Sequence, residues 1–479
     1  MSVDRRTLML SGVAATTAGI AATAPQDALA PPSQRSPGPA LDGEICWEEA
    51  ARNIAADDFG HIVHQKPDGV LRPRSARDVA TTIRWAADRG WRFAAQGQRH
   101  SIFGRSMSRE GIVADMSKMQ TVQDICGDCV TADAGATWSD ILAATLPQGL
   151  TPPVLTDYLG LSVGGTLAVG GVGAATSRYG TQSDNVIAMD VVTGTGQEIT
   201  CSASNNPDLF NAVRAGLGQV AIIIRATLLL VPAPPHVHRY VLFYPDLNTM
   251  LRDQRLLADD SRFDAVLGAI VASQEGHWLF RLDAMKQVPS SQAEDSALLS
   301  SLSDLPSKRQ ISSLTYSDYV NRFAALEAAL RNTGQWFLPH PWLTTFVGDS
   351  QVEAVVTDEL NRLNPTDLGP SGQVVLSAFR APTIKSPLLR LPSEDLCYVF
   401  NLIRFPTTKS TVEIARLIDD NRAAYERIRD AGGTLYPVSA FPMSRDDWQH
   451  HFGPVFSRLC EAKHKFDPDH VLTPGYPIF

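Results

Sequence analysis

Two short stretches carry residue types that could do chemistry. In the first, Asp157-Tyr158 stands near the head of a segment, Val154 to Val186, that holds five glycines between Gly164 and Gly173. Glycines this dense pack little; they let the backbone take positive φ and approach a ligand closely. Consecutive amides in such a segment form a nest for an anion such as a pyrophosphate. Asp157, just upstream, is a carboxylate able to accept a proton. The plainer alternatives are a glycine-rich loop without a ligand, and an aspartate that caps a turn before Gly160. In the second stretch, His100 lies in the loop Gln96-Gly97-Gln98-Arg99-His100-Ser101, with Gly104 allowing another tight turn. A lone loop histidine is more often a surface residue, but this loop follows a strand, where ligands of open α/β sheets collect.

Other candidates are weaker. Gly194 to Gly196 is a GxG, but Ile199 stands where a third glycine would complete a dinucleotide fingerprint, and the context is a turn. Cys126-Gly127-Asp128-Cys129 is a single CxxC without a second pair; it reads as a small turn, with a disulfide between Cys126 and Cys129 left open. His450-His451 has no companions at metal spacing and reads as surface, so no metal site is expected.

The elements around these stretches read as α+β. Val70-Leu71 is a strand, and Ser75 to Asp78 is a capping box for a helix that stops at Gly90. Trp91 to Ala95 returns as a strand and empties into the His100 loop. Ile112 to Asp115 and Val130 to Ala134 are further strands, and Thr137 with Asp140 caps a helix to Leu146. Val186 to Val192 and Gln197 to Cys201 flank a Thr-Gly-Thr-Gly turn. Pro232-Ala233-Pro234-Pro235 is the clearest boundary. Beyond it the pattern predicts strands over 265–272 and 278–282, a helix over 316–333, a helix over 412–431 opened by Ser410 and Glu413, and a last helix over 446–463.

Composition bounds the partners. The chain has 479 residues, enough for two or three domains, and 42 basic against 51 acidic side chains give a net charge of −9. A protein that tracks phosphates along nucleic acid shows the opposite balance, so no nucleic acid partner is expected. No apolar run in the mature chain reaches a membrane span. Arg5-Arg6 before an uncharged Ala-, Gly- and Thr-rich stretch resembles a twin-arginine export signal over residues 1–30. A linker follows over 31–54. The expected location is outside the cytoplasm, secreted or in the cell envelope.

Several stretches together resemble the cytokinin dehydrogenases, flavoproteins of vanillyl-alcohol-oxidase type. They are GQRHSIFG (97–104), TDYLGLSVGGTL (156–167), 183–201, 208–225, HPWLTTFV (340–347), PSED (392–395), DDWQHHF (446–452) and FDPDHVLTPGYPIF (466–479). Each is short, but they fall in the family's order from about residue 57 to the last phenylalanine. The resemblance implies an α+β fold with an FAD-binding domain of two subdomains over 55–233. It implies a substrate domain of antiparallel sheet and helices over 236–463, and a C-terminal return over 464–479.

It also implies roles. His100 matches the histidine to which the flavin 8α-methyl is covalently attached, and Asp157 matches the catalytic aspartate that takes the proton of a secondary amine. Gly97, Gln98, Arg99, Ser101, Gly104, Tyr158, Ser162, Gly164, Gly165, Thr166, Gly170, Gly171, Gly173, Ile223 and Tyr476 fall among FAD-binding positions. Thr344 and Glu327 fall near the substrate. Four residues depart from the family pattern: Arg99 where glycine is usual, Arg105 and Tyr476 where glutamine is common, and Thr344 where asparagine follows Pro-Trp-Leu. The expected reaction is oxidative cleavage of N6-isoprenoid adenines to adenine and an aldehyde, with oxygen or a quinone as external electron acceptor. The alternatives are oxidation of an alcohol or natural-product intermediate on the same fold, and a secreted protein that binds adenine-like ligands without turnover.

Overall fold

The computed structural model describes residues 38–273, 275–291 and 296–479. The expected export signal over 1–30 lies outside them. The expected linker over 31–54 is too long: β1 (Glu44–Cys46) pairs antiparallel with β2 (Gly69–Arg72), and α1 (Glu49–Ala55) lies between them. The cause is apolar surface the linker assignment overlooked. Cys46, Ala51 and Ala55 bury against Val70, Ala94 and Val113.

Helix α2 (Ala76–Ala87) begins where the Ser75 hydroxyl accepts from the Asp78 amide. Asp78 does not complete a reciprocal box. Its carboxylate accepts instead from the amides of Asp42, Gly43 and Arg74, and so ties the incoming chain to the helix start. Strands β3 (Arg92–Gln96) and β4 (Gly111–Asp115) complete a sheet of order β1-β2-β4-β3, in which β2 and β3 both run parallel to β4.

The second sheet is antiparallel, of order β5-β9-β7-β8. It comprises β5 (Cys129–Asp133), β7 (Val186–Thr193), β8 (Glu198–Ser202) and β9 (Ala221–Leu229); the two-residue β6 (Leu150–Thr151) pairs with β10 (Val231–Pro232). Helix α3 (Trp138–Thr145) carries the Thr137–Asp140 capping box read from the sequence. Cys126 and Cys129 exchange backbone hydrogen bonds across a tight turn, and their thiols are unpaired.

Beyond the proline run, one eight-stranded antiparallel sheet forms, of order β14-β11-β13-β12-β16-β17-β15-β18. Its members are β11 (His236–Tyr244), β12 (Ala265–Ala272), β13 (Trp278–Val288), β14 (Gln310–Thr315), β15 (Leu343–Gly348), β16 (Gln373–Arg380), β17 (Leu396–Ile403) and β18 (Thr434–Leu435). Two expected helices are each broken in two. The helix over 316–333 divides into Tyr316–Val320 and Ala324–Asn332, and the last helix breaks at Gly453-Pro454, where proline removes an amide donor. The C-terminal residues then return to the first sheet: Phe93 donates to Val471, Thr473 donates to Phe93, and Val471 and Leu472 bury beside Leu71 and Ile112. No helix among the described residues is long and apolar enough to cross a membrane.

Candidate active site

A cavity of about 870 Å³ lies against the inner face of the eight-stranded sheet and is closed on the other side by the His100 loop and the glycine-rich segment. That is near the top of the range for small-molecule sites. Its lining brings together Gly97, Gln98, Arg99, His100, Ser101, Asp157, Tyr158, Ser162, Gly164, Gly165, Thr166, Gly171, Gly173, Ile223, Glu327, Thr344 and Tyr476. Two of the expected residues stand behind the wall. The Gly104 amide donates to Asp58, and Gly170, at φ 109°, faces Leu389 as the chain leaves helix α4 (Val163–Val169).

Helix α4 corrects the reading of the glycine-rich stretch as one open nest. The amides of Val163 and Gly164 donate to the carbonyls of Ala136 and Ala134, that of Gly171 to the Tyr436 hydroxyl, and that of Gly173 to Thr176 Oγ1. These donors are spent inside the protein. The glycines serve close approach instead: a Cβ on Gly173 would lie 2.1 Å from the Leu155 carbonyl oxygen, and one on Gly97 would lie 2.0 Å from Ser162 Oγ. The segment that carries Asp157 can therefore pass directly over α4's exit.

His100 is held by rings. Phe59 is sandwiched between His100 and His340, with centroids 4.0 Å apart on each side and interplanar angles of 16° and 11°. Tyr158 leans on the other side of His100 at 4.9 Å. Burial, with smaller contributions from His340 and Arg331, pushes the His100 pKa down to about 3, so the ring is neutral. Beneath the loop, the buried Asp58 accepts from Ser101 Oγ at 2.8 Å and from the amides of Gly60 and Gly104 at 3.0 and 2.7 Å. Burial lifts its carboxyl to about 7 against those hydrogen bonds. Phe59 and Asp58 precede the recognisable GQRHSIFG stretch by some forty residues, and nothing local marked them as its support.

Asp157 is 33% exposed, into the cavity, and accepts a hydrogen bond of 2.5 Å from Arg322 Nη2. Two influences oppose each other there. Burial raises the Asp157 carboxyl, and the Arg322 guanidinium pulls it down; burial wins, and the carboxyl sits above its ordinary range. Arg322 is itself raised, because the pull of Asp157 and its neighbours outweighs its burial. It occupies the break between the two halves of the expected 316–333 helix. A cavity aspartate demands a nearby cation, and that demand is the only sequence signal that could have pointed to Arg322. Glu327 lies on the second half-helix, pairs with Arg331 and accepts from the Tyr158 hydroxyl at 3.3 Å. Thr344 is on β15 and Tyr476 in the C-terminal return, both buried.

His451, read as surface, is buried against Trp448 and Phe452, and burial pushes its pKa down to about 3. Among the described residues no group of three or more His, Cys, Asp or Glu is placed to hold a metal ion.

Comparison with known proteins identifies the family. Residues 67–202 match a family model described as an FAD binding domain, and residues 271–479 match one described as cytokinin dehydrogenase 1, FAD and cytokinin binding. Cytokinin dehydrogenase 10 of Oryza sativa subsp. japonica is 34% identical over 491 residues, spanning 91% of this chain and 88% of the rice protein. The chain belongs to the cytokinin dehydrogenase family of FAD-dependent oxidoreductases. An uncharacterized oxidoreductase of the fasciation locus in Rhodococcoides fascians is 41% identical, spanning 88% of this chain and 96% of that relative. The fold is that of 6-hydroxy-D-nicotine oxidase from Arthrobacter nicotinovorans, with a TM-score of 0.70 over 90% of this chain and 96% of that one, at 20% identity.

As a family member the chain takes FAD, and its residues fit that cofactor. The cavity has the volume, and the His100 ring is neutral and makes no hydrogen bond among the described residues. Two departures from the family pattern prove to be one contact. The buried Arg105 guanidinium lies 5.2 Å over the Tyr476 ring and donates to the Phe441 and Gly475 carbonyls, while the Tyr476 hydroxyl donates to Pro437. The third, Arg99, has φ 53°, the left-handed backbone that explains why glycine is usual there.

Proposed function

We propose that this oxidoreductase oxidises a secondary amine, cleaving N6-isoprenoid adenines to adenine and an unsaturated aldehyde. The observation that carries the reading is that His100 and Asp157 line one cavity. Bound FAD supplies a two-electron acceptor for the hydride on the carbon next to the amine nitrogen. Asp157 accepts the proton that nitrogen loses, and burial raises its affinity for that proton toward working pH. Arg322 holds the carboxylate ionised and aimed until substrate arrives. Water then hydrolyses the imine. Tyr158 and Glu327 border the amine from the side of the half-helix Ala324–Asn332, and Thr344 meets the ring system from the sheet.

His100 is the covalent tether in this reading. A neutral imidazole with a free nitrogen is the nucleophilic form, and Phe59 and Tyr158 restrict its ring on both sides. A tether suits a protein exported through a twin-arginine route, where released cofactor is lost to dilution. The external electron acceptor in this reading is oxygen or a quinone.

Incubation with N6-isopentenyladenine is expected to yield adenine and a trappable aldehyde. Acid precipitation is expected to leave a yellow pellet, with the added mass on the His100 peptide, and His100→Ala a white one. Absence of adenine together with flavin reduction by a simple alcohol contradicts the amine reading; a white wild-type pellet contradicts the tether.

A further inference from the structure

Strand register places Thr344, Asn401, Val375, Ala269 and Arg281 in a single row across five adjacent strands of the large sheet, and all five line the cavity. The two ends of that row differ in charge. Three carboxylates line the cavity, and each is taken: Asp157 by Arg322, Glu327 by Arg331, and both oxygens of Asp283 by Arg239 Nε at 3.0 Å. Arg281 stands beside the Arg239–Asp283 pair and makes no salt bridge among the described residues. Its one hydrogen bond is a 3.3 Å contact from Nη2 to Gln373 Oε1, and its Nε is buried without a partner. A guanidinium in that position loses hydration without full compensation, which a protein tolerates at a site that a ligand completes. Asn401, three strands away along the row, also has a buried side-chain oxygen without a partner. A hydrogen-bond acceptor and an unpaired cation thus face the same cavity, about 14 Å apart at the backbone by strand spacing.

Building on the proposed amine oxidation, we infer that the substrate carries an acidic substituent, a phosphate monoester or a carboxylate. Arg281 receives it at the β13 end of the sheet, while Asn401 Oδ1 accepts from an N–H donor of the ring system. Two charge-assisted hydrogen bonds from one guanidinium to an oxyanion supply the preference over neutral analogues. Flavin content of an Arg281 variant separates this role from one in holding the cofactor, because Arg281 stands on β13 of the large sheet, outside the loop and glycine-rich positions assigned to FAD from the family resemblance.

The test compares holoenzyme turnover of N6-isopentenyladenosine, its 5′-monophosphate, and N6-isopentenyladenine carrying a 9-carboxymethyl group, in wild type, Arg281→Gln and Arg281→Lys. For wild type the kcat/KM ratio of one acidic substrate to the neutral nucleoside is expected to be about tenfold or more, carried in KM. Arg281→Gln collapses that ratio toward one and Arg281→Lys restores part of it; the phosphate and carboxylate arms identify which acid fits. A wild type that prefers the neutral nucleoside, or an Arg281→Gln variant with an unchanged ratio or depleted flavin, overturns the inference. If no adenine is turned over at all, inorganic phosphate and acetate are titrated against the oxidised holoenzyme, read by the flavin difference spectrum. Saturable perturbation lost in Arg281→Gln sustains the anion site independently of the amine reading, and its absence in wild type overturns it.

Discussion

Asp157 and Arg322 show how opposing effects at one residue set a working protonation state. The acid limb of kcat/KM reports the ionisation of the base. Removing the Arg322 charge takes away the one strong influence that lowers the Asp157 carboxyl, so Arg322→Gln is expected to move that limb to higher pH and to reduce kcat/KM at neutral pH. A pH–rate profile in which the limb does not move, with activity lost uniformly at every pH, shows that Arg322 has a purely structural role. At this scale the sequence was legible where residue types are sparse and locally placed: Asp157 ahead of its glycines, and His100 after a strand. It was silent on Arg322, Arg281 and Asp58, because each acts on a partner that folding brings close and the chain keeps far away. The separation between Arg322 and Asp157 is 165 residues. The family pattern did mark Arg105 and Tyr476 as unusual, but only the fold reveals that the two side chains are in contact.

Among the elements, those with self-contained signals were read correctly. The Thr137–Asp140 box, the Thr193 to Gly196 turn and the Ser410 start of the helix Thr411–Asp430 are written in consecutive residues. Helix α4 was hidden, because glycine costs about 1 kcal/mol in a helix and the sequence Val-Gly-Gly-Thr-Leu-Ala-Val gives little local reason to form one. Tertiary hydrogen bonds to Ala134 and Ala136 and the burial of Val163 and Leu167 override that preference. The break at 321–323 has neither glycine nor proline to announce it. Close approach at the exit of α4 makes a specific prediction. Gly173→Ala sets a methyl against the Leu155 carbonyl, a backbone atom that cannot swing aside, whereas Gly165→Ala meets only the Ser162 hydroxyl at 2.8 Å. Gly173→Ala is expected to cost about 1–3 kcal/mol and to lower flavin content, with a smaller stability loss for Gly165→Ala. Chemical denaturation and the ratio of flavin to protein absorbance check both, and equal losses in the two variants contradict this account of the glycines.

For the whole molecule, the proline run at 232–235 located the start of the large sheet, but the insertion of β4 between β2 and β3 and the closing of the C-terminus onto Phe93 are long-range pairings without local signals. His340 joins the two halves beside the active site. It precedes β15, its amide donates to Gly60, and its Nδ1 lies 2.6 Å from the Phe59 carbonyl oxygen. Burial lowers its pKa from 6.5 to about 4. The unfolded chain therefore binds the proton first as pH falls, so stability is full above about 6.5 and is lost progressively toward 4. For this residue alone the loss is about 3 kcal/mol. His340→Gln is expected to be less stable at neutral pH and to lose less on acidification. Urea midpoints at pH 7 and pH 5 measure this, and parallel pH slopes in variant and wild type contradict it.

The most direct measurement mixes anaerobic enzyme with N6-isopentenyladenine and follows the visible flavin absorbance, in wild type and in Asp157→Asn. Wild type is expected to bleach rapidly. Asp157→Asn, with its flavin still bound, is expected to bleach about 10²–10⁴-fold more slowly. Equal bleaching in the two proteins, or a wild type that binds the adenine and stays yellow, contradicts the placement of amine chemistry between His100 and Asp157.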